Sequence, residues 1–517
     1  MTEPSPSRVG RLARAALTVS VGGAVSRLLG LGREQTIAAL FGRSAATDAF
    51  TAASRIPTTT YDLLVGGMIS AAFVPVLSSE AERDERAFQR LAGLLLSFFG
   101  ALLAAAVALV LLFSAPIVAV LTPFFDAETQ ATTLHLLRLM TPSLFFLGMS
   151  GVAIGILQAR RQFGAPAFGA AVFNLGFIVA AWALRDHGVE ALALALLAGS
   201  VAQLVLQAAA LRSVRLQLSF DWRTPQLRRI GALYLPVLLG LIVTNTGVYI
   251  DTILASSLPP GDLTAMRYAT TLTQLTLGVV AVSIGTAYLP ELSRMPAASP
   301  QYRAALGEAL RAVLLLAVPL VIALAVLREP VIRLLFERGA FTSSDTARTA
   351  LAYLAYAPGT PAAALDQILI FAFYARQDTI RPVLVGVASV GIYLAVALAL
   401  VQPFGMVGLT LANSAQWIGH LLMMALLTAL MLRALPLRAS IVALGRIGLA
   451  GSAAGLTWWL AGWVLPADAL LLVPAVVVAG AAGGAVYLGT LLLLGAPEAS
   501  FLIARLRSFL DRAFRRK

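Results

Sequence analysis

The first two apolar runs of the chain are rich in charges: Arg27, Arg33 and Glu34 lie inside one, Arg55 and Asp62 inside the other. A charge at the centre of a bilayer costs roughly 2.5–3.5 kcal/mol on insertion scales. Such residues therefore face a cavity or a partner rather than lipid. Arginine suits one ligand chemistry above others, because its planar guanidinium donates two parallel hydrogen bonds to a phosphate or carboxylate. Three arginines at these positions point to an anion, phosphate in particular, held inside a membrane. Structural readings stand beside this one. Arg27 could snorkel or pair. Arg33 and Glu34 could lie near the membrane surface. Arg55 and Asp62, seven apart on one helical face, could bracket a packing network.

The later runs hold fewer charges. Asp251 follows Asn245 by a turn and a half, Arg267 lies near the start of the next run, and Asp366 lies deeper in the chain. Asp251 reads either as a cation site or as a counter-ion for Arg267. Asp366, beside Gln367, is expected to bond backbone. His135, His187 and His420 are scattered and are expected to be structural. Cysteine is absent, so no disulfide or thiolate site exists. No metal-ligand spacing, phosphate-cradling loop or nucleophile elbow is present. We therefore expect no enzyme, no ATP-driven pump and no bound cofactor or metal.

The elements that position these charges follow from composition. Of 517 residues, 59% are hydrophobic and 12% charged, and the mean hydropathy is +0.86. A soluble domain carries about 25% charged residues. The chain reads as an all-α polytopic membrane protein. With about 20 residues per span, apolar runs fall near 15–41, 48–77, 88–113, 130–157, 165–184, 189–211, 229–257, 264–289, 303–327, 344–374, 382–401, 406–432, 440–464 and 468–494, fourteen in all. The first is too long and too charged for a cleavable signal. The net charge of +13 reflects topology rather than nucleic acid, because cations collect on cytoplasmic loops. Alternate loops hold Arg83, Arg86 and Arg90, then Arg160 and Arg161, then Arg376 and Arg381. An even number of spans then puts both termini in the cytoplasm. The loop at 328–341 is the worst exception, since its three arginines face only Glu329 and Glu337.

An internal repeat is legible. Ala159-Arg160 with Pro166 recurs as Ala375-Arg376 with Pro382, and Pro142 recurs as Pro358, all at an offset of 216. Phe73-Val74-Pro75 is echoed by Tyr288-Leu289-Pro290 at an offset of 215. The expected organisation is two six-helix lobes, 1–215 and 216–432, related by a parallel repeat. Two further helices follow at 433–498, and a basic tail at 499–517. Parallel repeats are a transporter architecture, with the substrate site between the lobes. The tail sets Leu502, Leu506 and Leu510 among arginines. It reads either as an amphipathic helix on anionic lipid or as a solvated basic end.

Several motifs resemble one family. They are Ser26-Arg27-Leu28-Leu29-Gly30-Leu31-Gly32-Arg33-Glu34, Phe41-Gly42, Thr47-Asp48-Ala49-Phe50, Ser54-Arg55-Ile56-Pro57 and Ala72-Phe73-Val74-Pro75-Val76-Leu77, with Phe373-Tyr374-Ala375-Arg376-Gln377-Asp378-Thr379 in the second half. Together they resemble the MurJ/MviN family, within the superfamily that also holds multidrug and polysaccharide-lipid exporters. The resemblance implies a lipid II flippase of the bacterial cytoplasmic membrane that works by alternating access. Its substrate is the undecaprenyl-pyrophosphate-linked precursor of peptidoglycan. The resemblance carries substrate roles to Arg27, Arg33, Arg55 and Asp48, and a cation-site role to Asp251. It makes the last two spans a groove for the polyprenyl tail, with Trp458, Trp459 and Trp463 near an interface.

Two departures bear on the site. Where the family continues from Ile-Pro with Asn-Leu-Leu-Arg-Arg, this chain reads Thr58-Thr59-Thr60-Tyr61-Asp62. Where the family reads Tyr-Ala-Asp-Arg, this chain has Tyr268-Ala269-Thr270-Thr271. Arg267, one turn before Thr271, is expected to stand in for the second arginine. Asp62 joins the expected substrate set. The run at 382–401 has no Asp or Asn, so the drive is either a monovalent cation or the membrane potential. A flippase for another polyprenyl-linked glycan is the alternative function, and a cation-coupled multidrug exporter ranks below it. The expected partners are the lipid-linked glycan and the bilayer, with the chain acting as a monomer.

Overall fold

A computed structural model describes residues 6–63, 67, 69–212, 214, 216–217, 219–297, 299–435, 437–466 and 469–497. The expected tail at 499–517 lies outside them. The regular structure is helical throughout the described residues. The first half holds α1 (Pro6–Phe41), α2 (Ala45–Tyr61), α3 (Val74–Arg83), α4 (Glu85–Leu112), α5 (Ser114–Leu121), α6 (Ala127–Met140), α7 (Ser143–Ala159), α8 (Gly164–Ala183) and α9 (Glu190–Leu211). The second holds α10 (Pro225–Ala255), α11 (Asp262–Val279), α12 (Ala281–Arg294), α13 (Pro300–Val326), α14 (Arg328–Phe336), α15 (Ser343–Tyr356), α16 (Thr360–Tyr374) and α17 (Ile380–Leu427). Last come α18 (Leu437–Gly462) and α19 (Ala469–Leu493).

Each of the fourteen apolar runs is built from one or two of these helices, and among the described residues ten helical stretches are long and apolar enough to cross a membrane. One of those ten carries two runs. At Gly405 the backbone of α17 turns to φ 53°, a conformation that costs glycine little. Gly419 faces Ile392, and Gln416 lies 3.4 Å from Ser389. Both pairs straddle the turn, so the two arms run antiparallel. Two other runs break near the repeated prolines. Pro142 separates α6 from α7, and Pro358 separates α15 from α16, because proline has no N–H to continue the ladder.

The repeat governs helix boundaries as well as motifs. α6 and α15 have equal length at an offset of 216, and so do the last residues of α9 and α17. Arg161 and Gln377 both take φ 59°. Asp126 caps α6 by accepting from Glu128 and Thr129, bonds that hold its carboxyl below the usual carboxylate range. At the equivalent place Thr342 and Asp345 form a capping box. The Ala-Arg motif also gains a packing reason. The Arg160 guanidinium lies 5.1 Å over the Phe88 ring, and Arg376 lies 4.7 Å over Tyr302. Each arginine clamps the start of the helix that carries the ring.

By packing, the chain divides into two compact units, Met1–Thr264 with Arg338–Phe341, and Ala265–Glu337 with Thr342–Lys517. α10 belongs to the first because it packs on α3 and α5. Gly22, Gly23, Gly30 and Gly32 in the first run predict a helix that bends or breaks. α1 is instead one uninterrupted helix, and Gly22, Gly30 and Gly32 let α8 approach: Gly22 faces the Ala167 backbone, Gly30 faces Asn174 and Gly32 faces Ile178. The second run does break, passing from α2 through a π-helical turn at Ile69–Phe73 into α3.

Candidate functional site

The periodicity of α1 separates its charges. At about 100° per residue, Ser20, Gly23 and Arg27 share one stripe, and all three are exposed. Leu17, Val21 and Leu28 share a neighbouring stripe that is exposed and apolar. Gly23 has open space around it. Arg27 makes no hydrogen bond or ion pair among the described residues, so its guanidinium is committed to nothing in the fold. Arg33 differs. Its Nη2 lies 2.9 Å from Oε1 of Glu34, and its guanidinium lies 5.8 and 5.9 Å over the rings of Phe173 and Phe177 on α8. Glu34 is 6% exposed.

Arg55 lies half-buried on α2, and Asp62 is the exposed C-cap residue. Tyr249 of α10 hydrogen-bonds Thr59 and feels the charges of both Arg55 and Asp62. These residues therefore form one polar cluster of the first unit. Asp251 sits half-buried on the same α10. Asn245, a turn and a half earlier, donates to the Leu241 carbonyl at 2.8 Å.

Asp48 was expected to meet substrate, and the structure gives it other work. It is 3% exposed. Its Oδ1 accepts from the Thr264 amide at 2.8 Å and the Thr264 hydroxyl at 2.6 Å, and its Oδ2 accepts from the Gly261 amide at 2.5 Å. The carboxylate thus caps the first turn of α11 from α2, where the helix dipole favours negative charge. Sequence reasoning missed its neighbours. Arg43 donates to the Pro260 carbonyl at 3.1 Å and to Asp262 at 3.3 Å. The Ala340 amide donates to the Ala39 carbonyl at 2.8 Å, and the Phe124 amide reaches Ser256 at 3.4 Å. Residues 39–48, 122–125, 256–264 and 338–341 are stitched together at one end of the first unit.

The legible signal for this end was the glycines. Gly42, Gly261 and Gly339 have φ of 58°, 90° and 61°. A Cβ on Gly42 would collide with the Ala340 carbonyl, and one on Gly339 with the Ala39 carbonyl. Gly42→Ala is expected to cost about 1–3 kcal/mol, read as a fall in the thermal midpoint in detergent. Gly23→Ala, in open space, does not lower that midpoint.

In the second unit Arg267 is half-buried on α11, and the Thr271 hydroxyl donates to the Arg267 carbonyl at 3.1 Å. Two of the three histidines meet acids, against expectation. His135 lies 2.9 Å from Glu190 at an exposed site. His420 Nδ1 lies 2.8 Å from Asp366 Oδ2 in a largely buried one. Periodicity could not show the second pair, because its partners sit on different helices. α18 and α19 pack on α13, where the Tyr487 hydroxyl donates to the Leu315 carbonyl at 3.0 Å. A cavity of about 510 Å³ opens among Arg328, Glu329, Trp458, Trp459 and Trp463. No cluster able to hold a metal ion occurs among the described residues.

Comparison with known proteins follows from this geometry. The family model described as "Lipid II flippase MurJ" matches residues 37–477. The lipid II flippase MurJ of Burkholderia cenocepacia is 32% identical over 418 residues, covering 78% of this chain and 80% of its own. A probable lipid II flippase MurJ of Bdellovibrio bacteriovorus is 31% identical, covering 81% and 82%. Among solved structures, an inward closed conformation of a lipid II flippase MurJ superposes with a TM-score of 0.78 at 21% identity, over 92% of this chain and all of that one. An inward-facing multidrug transporter of the MATE family reaches 0.64 at 14% identity, over 85% and 98%. Both likenesses speak to the fold.

Proposed function

The chain belongs to the lipid II flippase MurJ family, and we propose on that premise that it carries lipid II across the bacterial cytoplasmic membrane by alternating access. It is a transporter and performs no covalent chemistry. The observation that carries the reading is Arg27, an exposed cation on a polar stripe of α1 with no structural partner among the described residues. A pyrophosphate bridge would supply that partner. Arg33 and Arg55 complete the anion-binding set of the first unit in this reading, and Arg267 on α11 is a further anion-binding residue, of the second unit. The polyprenyl chain stays in lipid or along α18 and α19, whose exposed Leu449, Leu456, Leu460, Val473 and Val477 present an apolar face. Asp251 serves as a cation site or the membrane potential supplies the drive. Both termini face the cytoplasm, and one chain is the working unit.

Rescue of a bacterium depleted of its own lipid II flippase tests the reading. With membrane expression confirmed, the wild-type chain is expected to restore growth. A well-expressed chain that fails transfers the proposal to another polyprenyl-linked glycan, a reading favoured by the threonines at 58–60 and 270–271. The stand-in role of Arg267 has its own check. Arg267→Ala is expected to reduce rescue more than Thr271→Ala, and the reverse order removes Arg267 from the set.

A further inference from the structure

The transport reading leaves one buried ionisable cluster unused. Asp366 on α16 is 8% exposed, and the His420 side chain on the second arm of α17 is 14% exposed. Their contact is 2.8 Å. Asp366 Oδ1 and His420 Nδ1 are both buried and neither makes a hydrogen bond among the described residues, so the 2.8 Å contact is close but not aligned as one. The ionisable groups on the helices packed against α16 and α17 are Tyr288, Glu291 and Arg294 on α12, Tyr302, Arg303, Glu308 and Arg311 on α13, and Asp345, Arg348, Tyr353 and Tyr356 on α15, with Tyr374 on α16 and Arg381 and Tyr393 on α17 themselves.

The proton count of such a pair decides its charge. A carboxylate beside a neutral imidazole carries −1. One added proton makes the pair neutral, whether it rests on the ring or on Oδ1. A buried site inside a membrane strongly favours the neutral form over the charged one. Packing alone does not call for ionisable groups here. One turn away, Gln416 and Ser389 meet at 3.4 Å across the same helical hairpin, so the bundle accommodates polar contacts between neutral side chains.

We propose that Asp366 and His420 form a proton-binding site that takes up and releases one proton per transport cycle. The proton enters from the outer aqueous phase and leaves to the inner one, while lipid II moves outward. The inference rests on the flippase reading for its cargo but stands on its own geometry for the proton. It locates a coupling ion in the second unit, apart from Asp251.

The test uses purified full-length protein in vesicles that contain lipid II and a lumenal pH dye. The potential is clamped at zero with valinomycin and equal potassium. One unit of pH gradient is worth 1.36 kcal/mol, or tenfold, per coupled proton. Wild type is expected to shift the distribution of lipid II between leaflets by up to tenfold and to admit protons as it does so. Asp366→Asn and His420→Gln, each checked for wild-type thermal unfolding, are expected to lose the response to the gradient. An equal response in wild type and both variants overturns the proposal, as does a wild type that moves lipid II but ignores the gradient. A wild type that moves no lipid II under any drive sinks the cargo reading instead. The dye still decides the site: proton entry that depends on Asp366 supports it, and entry indifferent to Asp366 overturns it.

Discussion

Asp48→Ala is expected to abolish transport and to give the largest fall in thermal midpoint of any single change at the stitched end of the first unit. The carboxylate accepts three hydrogen bonds in a site 3% exposed to solvent. Alanine leaves two backbone amides and one hydroxyl without an acceptor. Each such orphan costs about 1–3 kcal/mol, and water cannot compensate where the site is closed. The loss reaches transport because the first turn of α11 leads directly into Arg267. Asp48→Asn sharpens the prediction. Its oxygen still accepts from Thr264, but its amide nitrogen then faces the Gly261 N–H, donor against donor. Asparagine is therefore expected to be intermediate in stability and still impaired in rescue. Thermal unfolding in detergent and the rescue assay, read together, check it. An Asp48→Ala chain with unchanged midpoint and full rescue would show that the cap is dispensable.

What the sequence made legible follows the physics of each signal. Apolar length marked the spans, because a bilayer enforces about 20 residues per crossing. The repeated prolines marked where α6 gives way to α7 and α15 to α16, because a missing N–H acts locally. Contacts between distant helices left no such mark. Asp48 received a substrate role from the family resemblance alone, which carries residue type and position but not contacts. Its partners at 261 and 264 lie more than two hundred residues away. Gly22, Gly30 and Gly32 looked like points of bending, yet glycine also removes the Cβ that would keep α8 away, and close packing is the use made of them. His420 and Asp366 were read separately for the same reason. The Ala-Arg repeat ran the other way. It was found as a pattern, and only the stacking of Arg160 on Phe88 and Arg376 on Tyr302 explains why both halves keep it.

The two arginines of α1 should part company under substitution. Arg27→Ala removes a side chain that holds nothing in the fold, so its thermal midpoint is expected to stay near wild type, within the ±0.5 kcal/mol typical of uncommitted surface positions. Transport is expected to fall by at least about tenfold, since a hydrogen bond to a charged group is worth about 1.5–3 kcal/mol. Arg27→Lys keeps the charge but loses the fork, and should recover only part of the rate. Arg33→Ala acts first on stability. It strips Glu34 of its 2.9 Å partner in a site 6% exposed, and it empties the space over Phe173 and Phe177. A Glu34→Gln change in the Arg33→Ala background removes the charge that Arg33 had balanced and is expected to restore part of the midpoint without restoring transport. That separation distinguishes an arginine that builds the wall from one that meets the cargo. If Arg27→Ala instead lowers the midpoint as far as Arg33→Ala does, Arg27 is part of the wall, and the anion must be held by other residues.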